Sequence, residues 1–166
     1  MAAAIVARHV GARRFWLLGI ANGGLPLAHR LAEAINALPA EAKRNRAMAG
    51  SLDISFHRDD IGRHPVPKEF ATTRLPGDVT GATVILVDDV LFTGRTIKAS
   101  LDELFDHGRP AQVELAVLVD RGGRRLPIAA DYVGLVLEAR ADEVVDVTLD
   151  RADPKRDRIR IITPSK

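Results

Sequence analysis

Two adjacent carboxylates, Asp88-Asp89, follow the apolar run 83–87, and Thr93-Gly94-Arg95-Thr96 comes shortly after them. Neighbouring carboxylates repel each other, so a purely structural use of the pair is unfavourable. A divalent cation or a polyhydroxyl ligand would take up their charge. Backbone N–H groups at a helix N-terminus, two hydroxyls and a cation form a cradle for phosphate. Acids for ribose hydroxyls, with a phosphate nest about one sugar away, fit a ribose 5-phosphate. A strand ending in two solvated aspartates ahead of a Thr-capped helix would also account for the run. The P-loop pattern Gly-x-x-x-x-Gly-Lys-Ser/Thr is absent. A receiver domain would carry its acids near the start of the chain, whereas here they lie in the middle.

The elements that must hold these groups follow from periodicity. Phe15-Trp16-Leu17-Leu18-Gly19-Ile20 reads as a buried strand and Ala21-Asn22-Gly23-Gly24 as a turn. Residues 25–38 then read as a helix with Leu27, Leu31, Ala34, Ile35 and Leu38 on one face. Residues 52–56 alternate like a half-exposed strand. From 58 to 80 there is no period of either kind, as in a lid or binding loop. The strongest strand is 83–87. A helix follows from near Thr96, with Ile97, Leu101, Leu104 and Phe105 on one face, and His107-Gly108 closes it. Strands are expected at 113–119, 131–137, 144–149 and 158–162. This alternation predicts an α/β fold with a mainly parallel central sheet flanked by helices. Ligands of such sheets bind beyond the carboxyl ends of the strands, where loops 21–24, 88–96 and 120–125 would meet.

Composition narrows the class. The 166 residues suit one domain, with 46% hydrophobic and 28% charged residues. No apolar run approaches the roughly 20 residues of a membrane helix, and residues 1–11 lack the apolar stretch of a signal peptide. Cysteine is absent, so disulfides and thiolate metal sites are excluded and a cytoplasmic location is expected. Net charge is only +2, yet the basic residues cluster at Arg13-Arg14, Lys43-Arg44-Asn45-Arg46, Arg121 with Arg124-Arg125, and 155–160. Such clusters suit phosphate-bearing ligands or RNA, or else a solvated surface. The five histidines, at 9, 29, 57, 64 and 107, show no metal-ligand spacing.

The run Val84-Ile85-Leu86-Val87-Asp88-Asp89-Val90-Leu91-Phe92-Thr93-Gly94-Arg95-Thr96 resembles the 5-phosphoribosyl-1-pyrophosphate (PRPP) motif of type I phosphoribosyltransferases. Leu52-Asp53-Ile54-Ser55-Phe56-His57-Arg58-Asp59-Asp60 and Asp120-Arg121-Gly122-Gly123-Arg124-Arg125-Leu126-Pro127-Ile128 resemble the PyrR family of pyrimidine operon regulators and uracil phosphoribosyltransferases. Gly108-Arg109-Pro110 and Asp131-Tyr132-Val133-Gly134 fit the same pattern, which runs from about Ile5 to Val136.

The resemblance implies a type I phosphoribosyltransferase-like fold with a small hood and a mobile flap loop at 58–74. It implies that Asp88 and Asp89 hold the ribose hydroxyls, directly or as ligands of Mg²⁺, the cofactor bound with PRPP. Arg58 in the flap joins them as a catalytic residue. Val87, Val90, Leu91 and Phe92 line the substrate, and Thr93, Gly94, Arg95 and Thr96 hold the 5-phosphate. Ala21, Asn22 and Gly23 face pyrophosphate, while Tyr132 and the Val133 backbone contact the base. The flap would shelter an oxocarbenium-like sugar from water, with His57 and His64 flanking it as candidate pyrophosphate contacts. Phe92 stands where purine-salvage relatives have Asp, and Asp120 where they have Lys; both favour a pyrimidine.

The pattern departs at Asn22-Gly23-Gly24, commonly Thr-Arg-Gly, at Gly123, commonly His, and at Leu135-Val136-Leu137-Glu138, commonly Lys-Asn-Ile-Pro. The expected reaction is uracil plus PRPP giving UMP and pyrophosphate. Implied partners are PRPP, uracil, UMP or UTP, the pyr mRNA leader, and further copies of the chain in a dimer or tetramer. The alternative is a nucleotide-sensing RNA-binding regulator that turns over weakly or not at all. A phosphoribosyltransferase for another base is a third reading.

Overall fold

The parallel sheet that the sequence predicts is built from β1 (Phe15–Ile20), β2 (Met48–Leu52), β3 (Thr83–Leu91), β4 (Gln112–Asp120) and β5 (Tyr132–Val136). A computed structural model describes residues 1–9, 15–39, 46–55, 72–150 and 153–163, with the backbone alone of Ala21 and Asn22. The strand order is β2-β1-β3-β4-β5, and every neighbouring pair is parallel. Helices α1 (Ala2–Arg8), α2 (Ala21–Ala37) and α3 (Arg95–Asp106) cover it. A separate antiparallel hairpin, β6 (Val144–Thr148) with β7 (Arg158–Ile162), follows. Among the described residues, no helix is long and apolar enough to cross a membrane.

A parallel sheet covered on both faces needs strands that are apolar throughout. Residues 84–87 meet this condition and are fully buried. Ile85 and Val87 pack with Leu17 and Ala116 against Ile5, Leu27, Leu31 and Ile35 of α1 and α2. Val84 and Leu86 pack with Leu18, Leu115 and Val117 against Ile97 and Leu104 of α3. The period of two along β3 thus feeds two separate half-cores.

Three expectations change. The strand expected at 52–56 lies at Met48–Leu52, paired with Trp16–Ile20 of β1. Residues 53–55 have left the sheet. Met48, Ala49 and Gly50 are weak β-formers, and their place in the sheet is set by pairing with β1. The turn expected at 21–24 is the first turn of α2, which starts directly after β1. The third change is α1, a short helix anchored by buried Ile5 and Val6 that the periodicity did not mark.

The flap expected at 58–74, with Arg58, His57 and His64, falls on 57–71 outside the described residues. Its end is tied down. Arg74 and Ser51 exchange backbone hydrogen bonds of 2.8 and 3.0 Å, and the Ser51 hydroxyl donates to the Thr72 carbonyl at 2.8 Å.

Candidate active site

Strand order reverses between β1 and β3, and this is the switch point at which doubly wound sheets open a crevice. Two helix N-termini arrive there. Helix α2 leaves β1 with Ile20 as its N-cap, and α3 follows β3 with Gly94 as its N-cap; neither cap has a side-chain hydrogen bond. Each helix therefore presents first-turn N–H groups without intrahelical acceptors, and a positive dipole end.

The carboxylates lie beneath the first of these ends and precede the second in the chain. A Cβ on Gly23 would fall 2.4 Å from an oxygen of Asp89, so the α2 N-terminus sits directly over that carboxylate. Gly24 lets α2 press against β3, since a Cβ there would lie 2.0 Å from the Val87 carbonyl oxygen.

Asp88 is buried and accepts the Asp89 N–H at 3.0 Å, while Asp89 accepts the Val90 N–H at 2.8 Å. Burial pushes the Asp88 carboxyl well above its ordinary range, and the charge of Asp89 pushes it further. Burial also raises Asp89, against the pull of the Val90 N–H and of a hydrogen bond from Asp88; Asp146 on β6 adds to the rise. Such a pair prefers to keep a proton until a cation or a hydroxyl-bearing ligand compensates its charge.

Beyond β3 the chain turns through Phe92-Thr93-Gly94. Gly94 has φ +91°, a left-handed conformation that glycine adopts without strain. The carbonyls of this loop are all engaged. Leu91 O accepts from the Arg121 N–H at 3.1 Å and Arg124 Nη1 at 3.2 Å, and Phe92 O from Arg124 Nη1 at 2.8 Å. Thr93 O accepts from the N–H groups of Arg125 and Leu126, at 3.0 and 3.2 Å, and Gly94 O from Lys98 at 3.0 Å. With its carbonyls engaged, the loop has for an anion the exposed Arg95 and Thr96 and its N–H groups, that of Arg95 now donating to the Thr93 hydroxyl at 3.4 Å.

This corrects the reading of the basic cluster at 121–125. Arg121 is buried, and half-buried Arg124 is committed to the carbonyls of Leu91, Phe92, Gly122 and Ile128 and to Asp120. Arg125 alone of the three is exposed. Buttressing of the loop at 92–94 by 120–128 had no local signal in sequence, because it depends on the parallel alignment of β3 with β4.

The other expected site residues divide by position. Val87 and Leu91 are buried in the core, Val90 is partly buried, and Phe92 is 37% exposed at the loop. Ala21, Asn22 and Gly23 form the first turn of α2. Tyr132 and Val133 do not join them. They open β5, in register with Ala116 and Val117, whereas the carboxyl end of that strand is Val136, opposite Asp120.

Tyr132 is buried, and its hydroxyl donates to Glu114 at 2.7 Å in a cluster with Arg8 and His9. Burial and Glu114 together raise its pKa. The exposed β5 residues nearest the crevice are Leu135 and Val136. Tyr132→Phe should therefore lower stability by about 2 kcal/mol, the worth of a hydrogen bond to a charged group. A urea denaturation midpoint measures this; weaker nucleotide affinity with unchanged stability would return Tyr132 to the site.

The arrangement defines a phosphoribosyltransferase, and the family model described as the phosphoribosyl transferase domain matches residues 1–152. The chain is 48% identical over 159 residues to the bifunctional protein PyrR of Roseiflexus sp. (strain RS-1), covering 95% of this chain and 84% of that one. It is 51% identical over 150 residues to the bifunctional protein PyrR of Streptomyces coelicolor, covering 90% and 75%. The chain belongs to the PyrR family. The hypoxanthine phosphoribosyltransferase of Staphylococcus aureus has the same fold, with a TM-score of 0.60 at 21% identity over 82% of this chain and 68% of that one. That of Trypanosoma cruzi in complex with the product IMP gives 0.58 at 22% identity over 86% and 70%.

Proposed function

We propose that the chain acts as one phosphoribosyltransferase domain that transfers the phosphoribosyl group of PRPP to uracil, giving UMP and pyrophosphate. The observation that carries this reading is the pair of helix N-termini without side-chain caps at the Asp88-Asp89 strand end, that of α2 over Asp89 and that of α3 just beyond it in the chain. One end suits the 5-phosphate and the other the pyrophosphate, and the two carboxylates suit the ribose hydroxyls.

The residues fit Mg²⁺ delivered with PRPP. Among the described residues no three His, Asp or Glu side chains gather to hold a metal alone. Two carboxylates supply hard oxygen donors, and Mg²⁺ commonly completes its shell with substrate phosphates and water. When bound it would neutralise charge that develops on pyrophosphate. The α2 amides orient that leaving group, and Thr93, Thr96 and the loop amides anchor the 5-phosphate. The C1–oxygen bond breaks with its electron pair on pyrophosphate, and uracil N1 forms the new bond as its proton passes to the departing pyrophosphate. Asp88 and Asp89 accept from the 2- and 3-hydroxyls and fix the sugar for that displacement.

Phe92 and Asp120 support a pyrimidine. Asp120 is held ionised by the Gly122 N–H and Arg124, against its partial burial, so it is an acceptor rather than a cation at that strand end. Incubation with PRPP, Mg²⁺ and labelled uracil should give UMP, and hypoxanthine in its place should give no IMP. IMP without UMP would reverse the base assignment. Nucleotide-dependent RNA binding without UMP formation would favour the regulator alone.

The relatives' name, bifunctional, supports RNA binding as a second activity. Exposed Arg125, Lys155 and Arg158 offer cations for RNA phosphates. Replacing any one of them with alanine should lower the salt slope of pyr leader binding by about 1.

A further inference from the structure

Arg121 is 7% exposed, yet among the described residues no carboxylate pairs with it. Its Nη1 donates to the Glu143 carbonyl at 2.8 Å and its Nη2 to the Arg140 carbonyl at 2.9 Å. The guanidinium lies over the Phe92 ring, 4.0 Å from the centroid, and Nε has no hydrogen-bond partner. Taking a cation out of water without a counter-charge is strongly unfavourable. Carbonyl dipoles and a ring face offset only part of this. Nearby Arg124 offers a contrast, because it is paired with Asp120. Arg121 thus joins two segments that share no strand pairing: the 140–143 turn leading into β6, and the loop at 92–94. Strand β6 carries Asp146, whose charge acts on Asp89.

We propose that Arg121 is a positioning residue that locks the 140–143 turn, and with it the β6–β7 hairpin, to the phosphate loop through the ring of Phe92. The proposal relies on the proposed function only in treating 92–96 as the loop that holds phosphate. With the guanidinium plate in place, the Phe92 ring and the backbone behind it have one arrangement, and the loop amides are preorganised for an anion. Lysine cannot replace it, since an ammonium group lacks the planar face and the fork that spans two carbonyls.

Arg121→Lys, Phe92→Leu and the double variant test this. In the free protein, amide hydrogen exchange in Arg121→Lys should rise about tenfold at both 93–97 and 140–146, since coupled segments open together. In turnover, the KM for PRPP should rise about tenfold in each single variant and no further in the double, the signature of one shared interaction. In Arg121→Lys the KM for uracil should stay within about twofold, a split that general destabilisation would not produce. Faster exchange confined to one segment, or KM effects that multiply in the double variant, would overturn the assignment. Should wild-type protein form no UMP, the uracil reading fails alone, and the exchange measurement still decides the coupling.

Discussion

Asp88→Asn combined with Asp89→Asn should reduce UMP formation by at least about 10³-fold, comparable to losing preorganised charge at a transition state. The free protein should become more stable rather than less. Both carboxyl pKa values are raised, chiefly by burial, so the folded state binds protons more tightly than the unfolded chain. A raised carboxyl destabilises the fold as pH climbs from the unfolded value through the folded one. Asparagine removes that charge and retains an oxygen to accept the Asp89 and Val90 N–H groups. Variant and wild type should therefore melt together near pH 4 and separate as pH rises, with the variant higher. Each 1 kcal/mol of separation amounts to about 2–4 °C at this chain length. A variant that melts lower at every pH would mean that the pair stabilises the fold, and its use for a ligand would lose its physical basis.

Among the described glycines, Gly24→Ala should be the most damaging addition of a methyl group. The new Cβ would stand 2.0 Å from the Val87 carbonyl oxygen and 2.9 Å from its carbon, both backbone atoms of the central strand. No rotamer change relieves that clash, so α2 must slide away from β3. Overpacking of this kind costs about 1–3 kcal/mol and at times more. The slide also lifts the α2 N-terminus off Asp89, and misplacement on the ångström scale costs about 10²-fold in rate. Thermal melting and PRPP-dependent turnover of the same preparation measure the two effects. Wild-type melting with wild-type turnover would show that α2 does not need this approach to β3.

Much of this was legible in the residues because the signals were local. An apolar run ending in two acids marks β3 and the crevice edge, and Thr93-Gly94-Arg95-Thr96 marks a helix start on the same stretch of chain. The exposed strand at Arg158–Ile162 carries its own alternation, and its bounds agree. Long-range features were not legible. The Gly23-Gly24 pair reads as a turn by composition, whereas its use is to let a helix touch a strand. Strand β2 has residues of low β-propensity and exists through β1. Tyr132 lies on the strand expected for it, but a strand crosses the whole sheet, and residue type does not say which end faces the ligand. The arginines at 121 and 124 resemble surface cations until β4 places them behind the loop at 92–94.

Chemical-shift mapping of backbone amides during titration with Mg²⁺ and PRPP tests the crevice itself. The largest changes should fall on 21–24 and 93–97, the first turns of α2 and α3, with Asp88 and Asp89 moving as they lose their proton. Changes centred instead on Glu114 and Tyr132, at the other end of the sheet, would contradict the account.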